Sequence, residues 1–343
     1  MNVTNRTLVE LGWMPFFSEQ VSAEELRSCR PVRVMAVHRG MVAVEGEEFE
    51  KTISSINPES SGPEDRPTVG DWILIERETG ALVRILGRLN LFKRPAPGDD
   101  RRVQLIAANV DTLFIVTSCN QDFNLARLER YLVLAREVGV KPVVVLTKVD
   151  LADDPKRFFE AAQSLQPGLE VEMVNGKVLE SVDHLTARCR YGETVALVGS
   201  SGVGKSTLIN TLRRCDSIAT QAVREADGKG RHTTTAREMH RLGSGLTGGW
   251  LIDTPGMREF QLSDATSGLA EVFDDIAGMV LECRFTNCTH EDEPECAIQA
   301  AMRRGVLDRE RLMRWRKLSA EDAENTDNMA ARRTRVSKSM KRK

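Results

Sequence analysis

Residues 199–207 read Gly-Ser-Ser-Gly-Val-Gly-Lys-Ser-Thr, and no other stretch restricts the possible folds so tightly. The spacing G-x-x-x-x-G-K-[ST] works where a strand ends, the backbone turns its N–H groups inward around a phosphate, and a helix starts with its positive end facing that phosphate. Both flanks comply: "TVALVG" is an apolar run and "STLINTLRR" has helical character. Gly199, Ser200, Ser201, Gly202, Val203 and Gly204 are the expected cradle, with Thr207 completing the motif. Lys205 is expected to reach the β- and γ-phosphates and Ser206 to ligate Mg²⁺.

The surroundings extend the pattern. From about residue 108, "VDTLFIVTS", "KPVVVLT", "LEVEMV", "TVALVG" and "GWLIDTPG" alternate with helical stretches, as in a parallel sheet covered on both faces. Asp253 ends the last of these runs, where a carboxylate holds Mg²⁺ directly or through water, and Gly256 offers a backbone N–H to the γ-phosphate. Between the two motifs, "GKGRHTTTA" (228–236) fits a switch loop whose threonine ligates Mg²⁺ in the triphosphate state. Thr234 is the favoured ligand, with Thr233 and Thr235 still open.

Thr147-Lys148-Val149-Asp150 ends the run "VVVL" and lies close to Asn-Lys-x-Asp, the guanine reader. Asp150 can accept from the guanine N1–H and exocyclic amine, which adenine cannot match, and the Lys148 stem can cover the base. Thr147 replaces the usual Asn, so the side-chain amide that ties such a loop together is expected to be missing. The base reader here precedes the phosphate loop, the reverse of ordinary GTPases. A parallel sheet presents its loops at the C-terminal strand ends whatever the visiting order, so a circularly permuted chain still assembles one site.

Upstream, residues 32–95 contain two hairpin patterns, "VRVMAV"/"MVAVEG" and "GDWILIE"/"ALVRIL", and suggest a small β-barrel of the OB type. Downstream, Cys283, Cys288, His290 and Cys296 supply three thiolates and an imidazole within fourteen residues, a donor set for one structural Zn²⁺ with no open position. The other cysteines, Cys29, Cys119, Cys189 and Cys215, are scattered and receive no role. The final twelve residues hold seven Lys or Arg and no acid, so a chain of net charge −2 carries −9 over its first 331 residues. A flexible tail that contacts nucleic acid through phosphates is the expectation. No apolar run is long enough to span a bilayer, and four glutamates in the first thirty residues exclude a secretory signal; a cytoplasmic monomer away from membranes is expected.

With "GRHTTT", "DTPG", "TSCNQDFNLARLERYLVLA", "LGWMPFF" and the cysteine cluster in this order, the chain resembles the RsgA (YjeQ/YloQ) family of circularly permuted ribosome-biogenesis GTPases. The resemblance implies an α/β protein with an OB-fold barrel (1–98), a permuted GTPase domain (99–266), a helical zinc domain (267–330) and a basic tail (331–343). It also implies GTP and GDP as ligands and the small ribosomal subunit, its RNA and proteins, as partner. Met257 stands where GTPases usually carry the water-orienting Gln, which leaves His232 as the nearest candidate for that task. Rival readings are a P-loop ATPase or small-molecule kinase, against which Asp150 speaks, and an RNA-binding scaffold holding nucleotide as a structural ligand.

Overall fold

The computed structural model describes residues 6–58, 60, 62–95, 103–213, 237–242, 248–253, 262 and 264–340, with backbone alone for 328–340. The chain forms two compact units: the first comprises residues 1–123, 140–160 and 170–260, the second 124–139, 161–169 and 261–343.

In chain order the first unit begins with two single-turn helices, α1 (Pro15–Ser18) and α2 (Glu25–Ser28), followed by β1 (Cys29–His38), β2 (Met41–Gly46), β3 (Phe49–Ser54), β4 (Trp72–Glu76) and β5 (Leu82–Ile85). Both hairpins read from the sequence are present: His38 pairs with Met41 across the Arg39–Gly40 turn, and β4 pairs antiparallel with β5. The pairing runs β3-β2-β1-β4-β5. Ile53 on one outer strand and Leu82 on the other join Val32, Val34, Val42, Val44, Ile73 and Ile75 in one core, so the sheet wraps around a single interior.

A hairpin that the sequence analysis did not anticipate follows, β6 (Leu91–Pro95) with β7 (Val103–Ala108). Then come β8 (Thr112–Ser118), α3 (Leu125–Glu137), β9 (Lys141–Thr147), α4 (Pro155–Gln163), β10 (Glu170–Met173), α5 (Leu179–Thr186), β11 (Thr194–Val198), α6 (Lys205–Arg213), β12 (Arg237–Arg241) and β13 (Trp250–Asp253). Strands β10-β9-β8-β11-β13 are all parallel; β8, β9 and β11 carry the unbroken apolar runs of a doubly covered sheet, whereas edge strand β10 alternates Glu170-Val171-Glu172. Antiparallel β12 was also unforeseen, since Arg237-Glu238-Met239-His240-Arg241 looks like surface sequence. On its far side β12 pairs with β1, so the nucleotide-type sheet and the barrel sheet are one continuous structure.

The N-terminal residues bind this junction. Glu10 accepts through its carbonyl from Trp250 Nε1 (2.8 Å) and through its carboxylate from Arg241 Nη2 (3.0 Å). The Arg33 side chain, only 2% exposed, donates to Leu11 O (2.5 Å), Gly70 O (3.4 Å), Asn109 O (3.3 Å) and Thr194 Oγ1 (2.8 Å). Burial pulls its guanidinium down to about 10. Gly12 and Gly192 meet backbone to backbone here: both take positive φ, and a Cβ on Gly12 would stand 2.6 Å from Arg33 Nη1 and from Gly192 O.

The second unit contains α3, α7 (Thr266–Val272), α8 (Asp274–Leu281), α9 (Ala297–Arg303) and α10 (Arg309–Met340). Backbone helix continues through the basic segment to Met340, where a flexible tail was expected. The reason is compositional: from Val306 to the end the chain has no Gly or Pro, and Ala330-Ala331 carry the helix into the charged run. Glu129 on α3 is fully enclosed and accepts from Arg314 Nε (2.7 Å), with Arg311 Nη1 at 3.5 Å. Arg311 also clamps Asp275 with two 2.8 Å bonds. Burial raises the Glu129 carboxyl despite both arginines. Glu129→Ala strands the Arg314 guanidinium, while Arg311 keeps Asp275, and is expected to cost about 3 kcal/mol. Guanidinium unfolding followed by Trp315, the single tryptophan of this unit, checks it. No helix among the described residues is long and apolar enough to cross a membrane.

Candidate nucleotide site and metal centre

The base-reading strand, the phosphate-loop strand and the Asp253 strand all end on one edge of the parallel sheet, because β9, β11 and β13 run in the same direction. Leu251 packs in one core with Leu208, Ile209 and Leu212 of α6. Strand alternation then puts Asp253, two residues on, on the α6 face.

In the phosphate loop, Gly199, Gly202 and Gly204 take φ of 145°, 79° and 96°. Gly199 is required twice over, since a Cβ there would also strike Val116 O. The Lys205 ammonium lies within the loop, donating to Gly199 O (2.8 Å) and to Ser200 O. Ser206 and Thr207 follow in the first turn of α6.

Thr147 corrects an expectation. Its Oγ1 lies 2.5 Å from Val203 O of the phosphate loop and 3.1 Å from Thr117 O, and Gly204 packs beside it. The hydroxyl therefore makes the tie that the missing amide was thought to forfeit, joining the end of β9 to the phosphate cradle. Lys148 adopts a left-handed conformation (φ 56°), which swings the chain into the turn Val149–Leu151. That turn sets out Asp150 as an exposed carboxylate with no hydrogen bond to another described residue. A left-handed Lys outside glycine's usual territory is a strained feature of the sort that collects at binding loops.

Two neighbours of the site were not read from the sequence. The turn after β10 sits on α6: Gly176 O accepts from Thr211 Oγ1 (2.7 Å). Its signal was positional, being the end of another parallel strand. Glu238 pairs directly with Asp253 across β12/β13 and so shares its face. Thr234, His232, Gly256 and Met257, with Thr233 and Thr235, lie outside the described residues.

In the second unit, the ligand atoms of Cys283, Cys288, His290 and Cys296 all lie within 4.8 Å of one another. Cys283 Sγ is 3.5 Å from His290 Nδ1 and 4.0 Å from Cys296 Sγ, and Cys296 Sγ is 3.7 Å from the same nitrogen. A tetrahedron with metal–sulfur bonds of about 2.3 Å has edges of about 3.8 Å, so the donors already stand at coordination spacing. Left-handed His290 (φ 63°) and Glu295 (φ 59°) bend the loop to bring them there. Gln299 Nε2 and Arg316 Nη2 each hold the His290 carbonyl at 2.7 Å. Burial acts to raise the Cys283 thiol, but the N–H groups of Ala297 and Ile298 and the neighbouring thiols outweigh it and leave it below its ordinary value.

A strand–glycine-loop–helix at 199–207, the Thr147–Leu151 turn and Asp253, all at one sheet edge, have the arrangement of a P-loop GTP hydrolase, here with the Thr147–Leu151 turn preceding the glycine loop. Residues 85–263 match the RsgA GTPase family. Over 329 residues the chain is 46% identical to the small ribosomal subunit biogenesis GTPase RsgA of Mesorhizobium japonicum, covering 95% of this chain and 93% of that one. It is 45% identical over 332 residues to RsgA 2 of Vibrio parahaemolyticus, covering 96% and 90%. Among solved structures it resembles YjeQ from Thermotoga maritima (TM-score 0.59, 25% identity, 84% of this chain and 97% of that one). It also shares the fold of YloQ, a circularly permuted GTPase (TM-score 0.58, 22% identity, 89% and 99%). The chain belongs to the RsgA GTPase family and is a GTPase, a hydrolase that requires guanine nucleotide and Mg²⁺.

Proposed function

We propose that this chain couples GTP hydrolysis to late maturation of the small ribosomal subunit, in the cytoplasm and as a monomer. The names of its relatives support the first part: each is a small ribosomal subunit biogenesis GTPase. The observation that carries the site is the Thr147–Val203 contact, which joins the base reader to the phosphate cradle.

Within that site Lys205 holds the β- and γ-phosphates, Gly199 to Gly204 cradle them with backbone N–H groups, and Ser206 and Asp253 hold the metal side. Mg²⁺ held there would supply neutralisation of the phosphate charge. Thr234 completes that side, Gly256 senses the γ-phosphate, and His232 orients the attacking water in place of the Gln that Met257 displaces. Asp150 reads guanine, Lys148 covers the base, and the backbone through Val149 sets their spacing. The barrel (1–98) and the helical zinc segment (267–330) flank the GTPase domain (99–266) as docking surfaces, and residues 331–343 meet phosphates. One structural Zn²⁺ fills the Cys283, Cys288, His290, Cys296 cluster, whose spacing supports it.

Hydrolysis measured with and without purified small subunits tests the coupling. A rise in turnover is expected; an unchanged rate points to a scaffold that keeps GTP as a structural ligand. Asp150→Asn replaces an acceptor with a group that donates toward guanine's own donors. GTP affinity should fall by about tenfold to a hundredfold, and xanthosine triphosphate should gain. Retention of full GTP preference in competition would remove Asp150 from the base-reading role.

A further inference from the structure

A cavity of about 150 Å³ lies in the first unit where the N-terminal segment crosses the entry to β11. Voids of this size accept one six-membered ring or one side chain. It is remote from the nucleotide. Glu193 lines it just before β11 begins, whereas the phosphate loop leaves the other end of that five-residue strand, about 16 Å away.

The walls are apolar and partly open: Trp13, Met14 and Leu89 line the space, with Met14 40% and Leu89 43% exposed. Trp13 is held edge-on against Trp72, ring centroids 4.8 Å apart, so this wall is fixed. Arg33 contributes to the lining, but four of its five N–H groups already serve Leu11, Gly70, Asn109 and Thr194. The unused polar capacity is on the acceptor side. Asp111 takes one bond from Thr194 N (2.7 Å) and Glu193 one from Arg190 N (2.9 Å). Each keeps a second oxygen without a donor, and neither has a Lys or Arg ion-pair partner among the described residues. Desolvation raises the Asp111 carboxyl; the Thr194 N–H and Arg33 oppose this, and Glu193 adds to the rise. Two carboxylates against one guanidinium leave the pocket with a negative excess.

The occupant must therefore bring an apolar body of a few carbons and a head that donates, accepts nothing and carries positive charge. An ammonium has three donors and no acceptor. Its alkyl stem can lie along Met14 and Leu89 while the cation meets the Trp13 indole and the carboxylates. An anion would face two carboxylates, and a neutral ring would offer exposed Asp111 and half-buried Glu193 no donor. We propose that this cavity binds an alkylammonium group, the end of a polyamine or the side chain of a lysine.

The test titrates the full chain by calorimetry with cadaverine and, separately, with the blocked tripeptide acetyl-Gly-Lys-Gly-amide; n-pentanol is the neutral control. Saturable binding on the order of 1 mM is expected for an ammonium ligand. Asp111→Asn and Glu193→Gln keep an amide oxygen for the Thr194 and Arg190 N–H groups, so melting temperature and GTP hydrolysis should hold while affinity drops at least tenfold. Tighter binding of cadaverine assigns the site to free polyamines, and tighter binding of the tripeptide assigns it to a lysine of a partner protein. The proposal is overturned if neither ligand saturates, if both substitutions leave binding unchanged, or if pentanol binds as well as cadaverine.

Discussion

Lys205→Ala should lower kcat/KM for GTP by about a thousandfold while the protein stays folded. The ammonium lies inside the glycine loop on the carbonyls of Gly199 and Ser200; in the proposed site it faces the β- and γ-phosphates, where charge develops during transfer. Removing one preorganised electrostatic partner of a transition state costs about 3–4 kcal/mol, which is two to three powers of ten in rate. The side chain is only part-buried and its two bonds to Gly199 O and Ser200 O stay within the loop, so its loss should leave the melting temperature nearly unchanged. Initial rates at GTP concentrations well below KM, with circular dichroism as the control for folding, give the answer. Turnover within fivefold of the parent protein would detach Lys205 from catalysis.

The second large effect concerns the metal. Structural zinc in small segments contributes apparent binding free energies of about 10–16 kcal/mol at neutral pH, and that energy is folding energy. The stretch from Cys283 to Cys296 is mostly exposed apart from the ligands themselves and has little apolar core to substitute for it. Cys296→Ser, or prolonged treatment with a strong chelator, should therefore unfold this loop. The His290 ring is 6.0 Å from that of Trp315, so Trp315 emission should shift on metal loss. Nucleotide affinity should persist, because its residues belong to the other compact unit. Metal analysis should return one zinc per chain; a fully folded protein free of zinc would refute the assignment.

How much was legible beforehand depended on which physics wrote each element. The central parallel strands are buried on both faces, so Val143 to Leu146 and Val195 to Val198 had to be unbroken apolar runs, and they read at once. The phosphate loop and the cysteine cluster were equally plain, because φ values and donor chemistry restrict residue types. Strand β12 was hidden because its pairing with β1 and β13 demands backbone, while Arg237, Glu238 and His240 are only partly buried. The helical course of the basic segment follows from its lack of Gly and Pro, a signal that its charge content masks. Thr147 was the subtlest case. A departure from the usual residue looked like a loss, yet a shorter side chain reaches Val203 O once the strand end stands near enough.

The continuous sheet has a practical consequence for anyone cutting this protein into pieces. Strand β12 is paired on both sides only because β1 lies against it at Ala36–Glu238 and Val37–Arg237. Removing the first hundred residues would bare an edge strand, the Trp250 indole that now donates to Glu10, and the apolar surface beneath residues 8–17. Unpaired edges of that kind recruit one another. A fragment trimmed to its catalytic sequence should accumulate as aggregate, and insolubility in such a fragment would report a torn sheet rather than a failed enzyme.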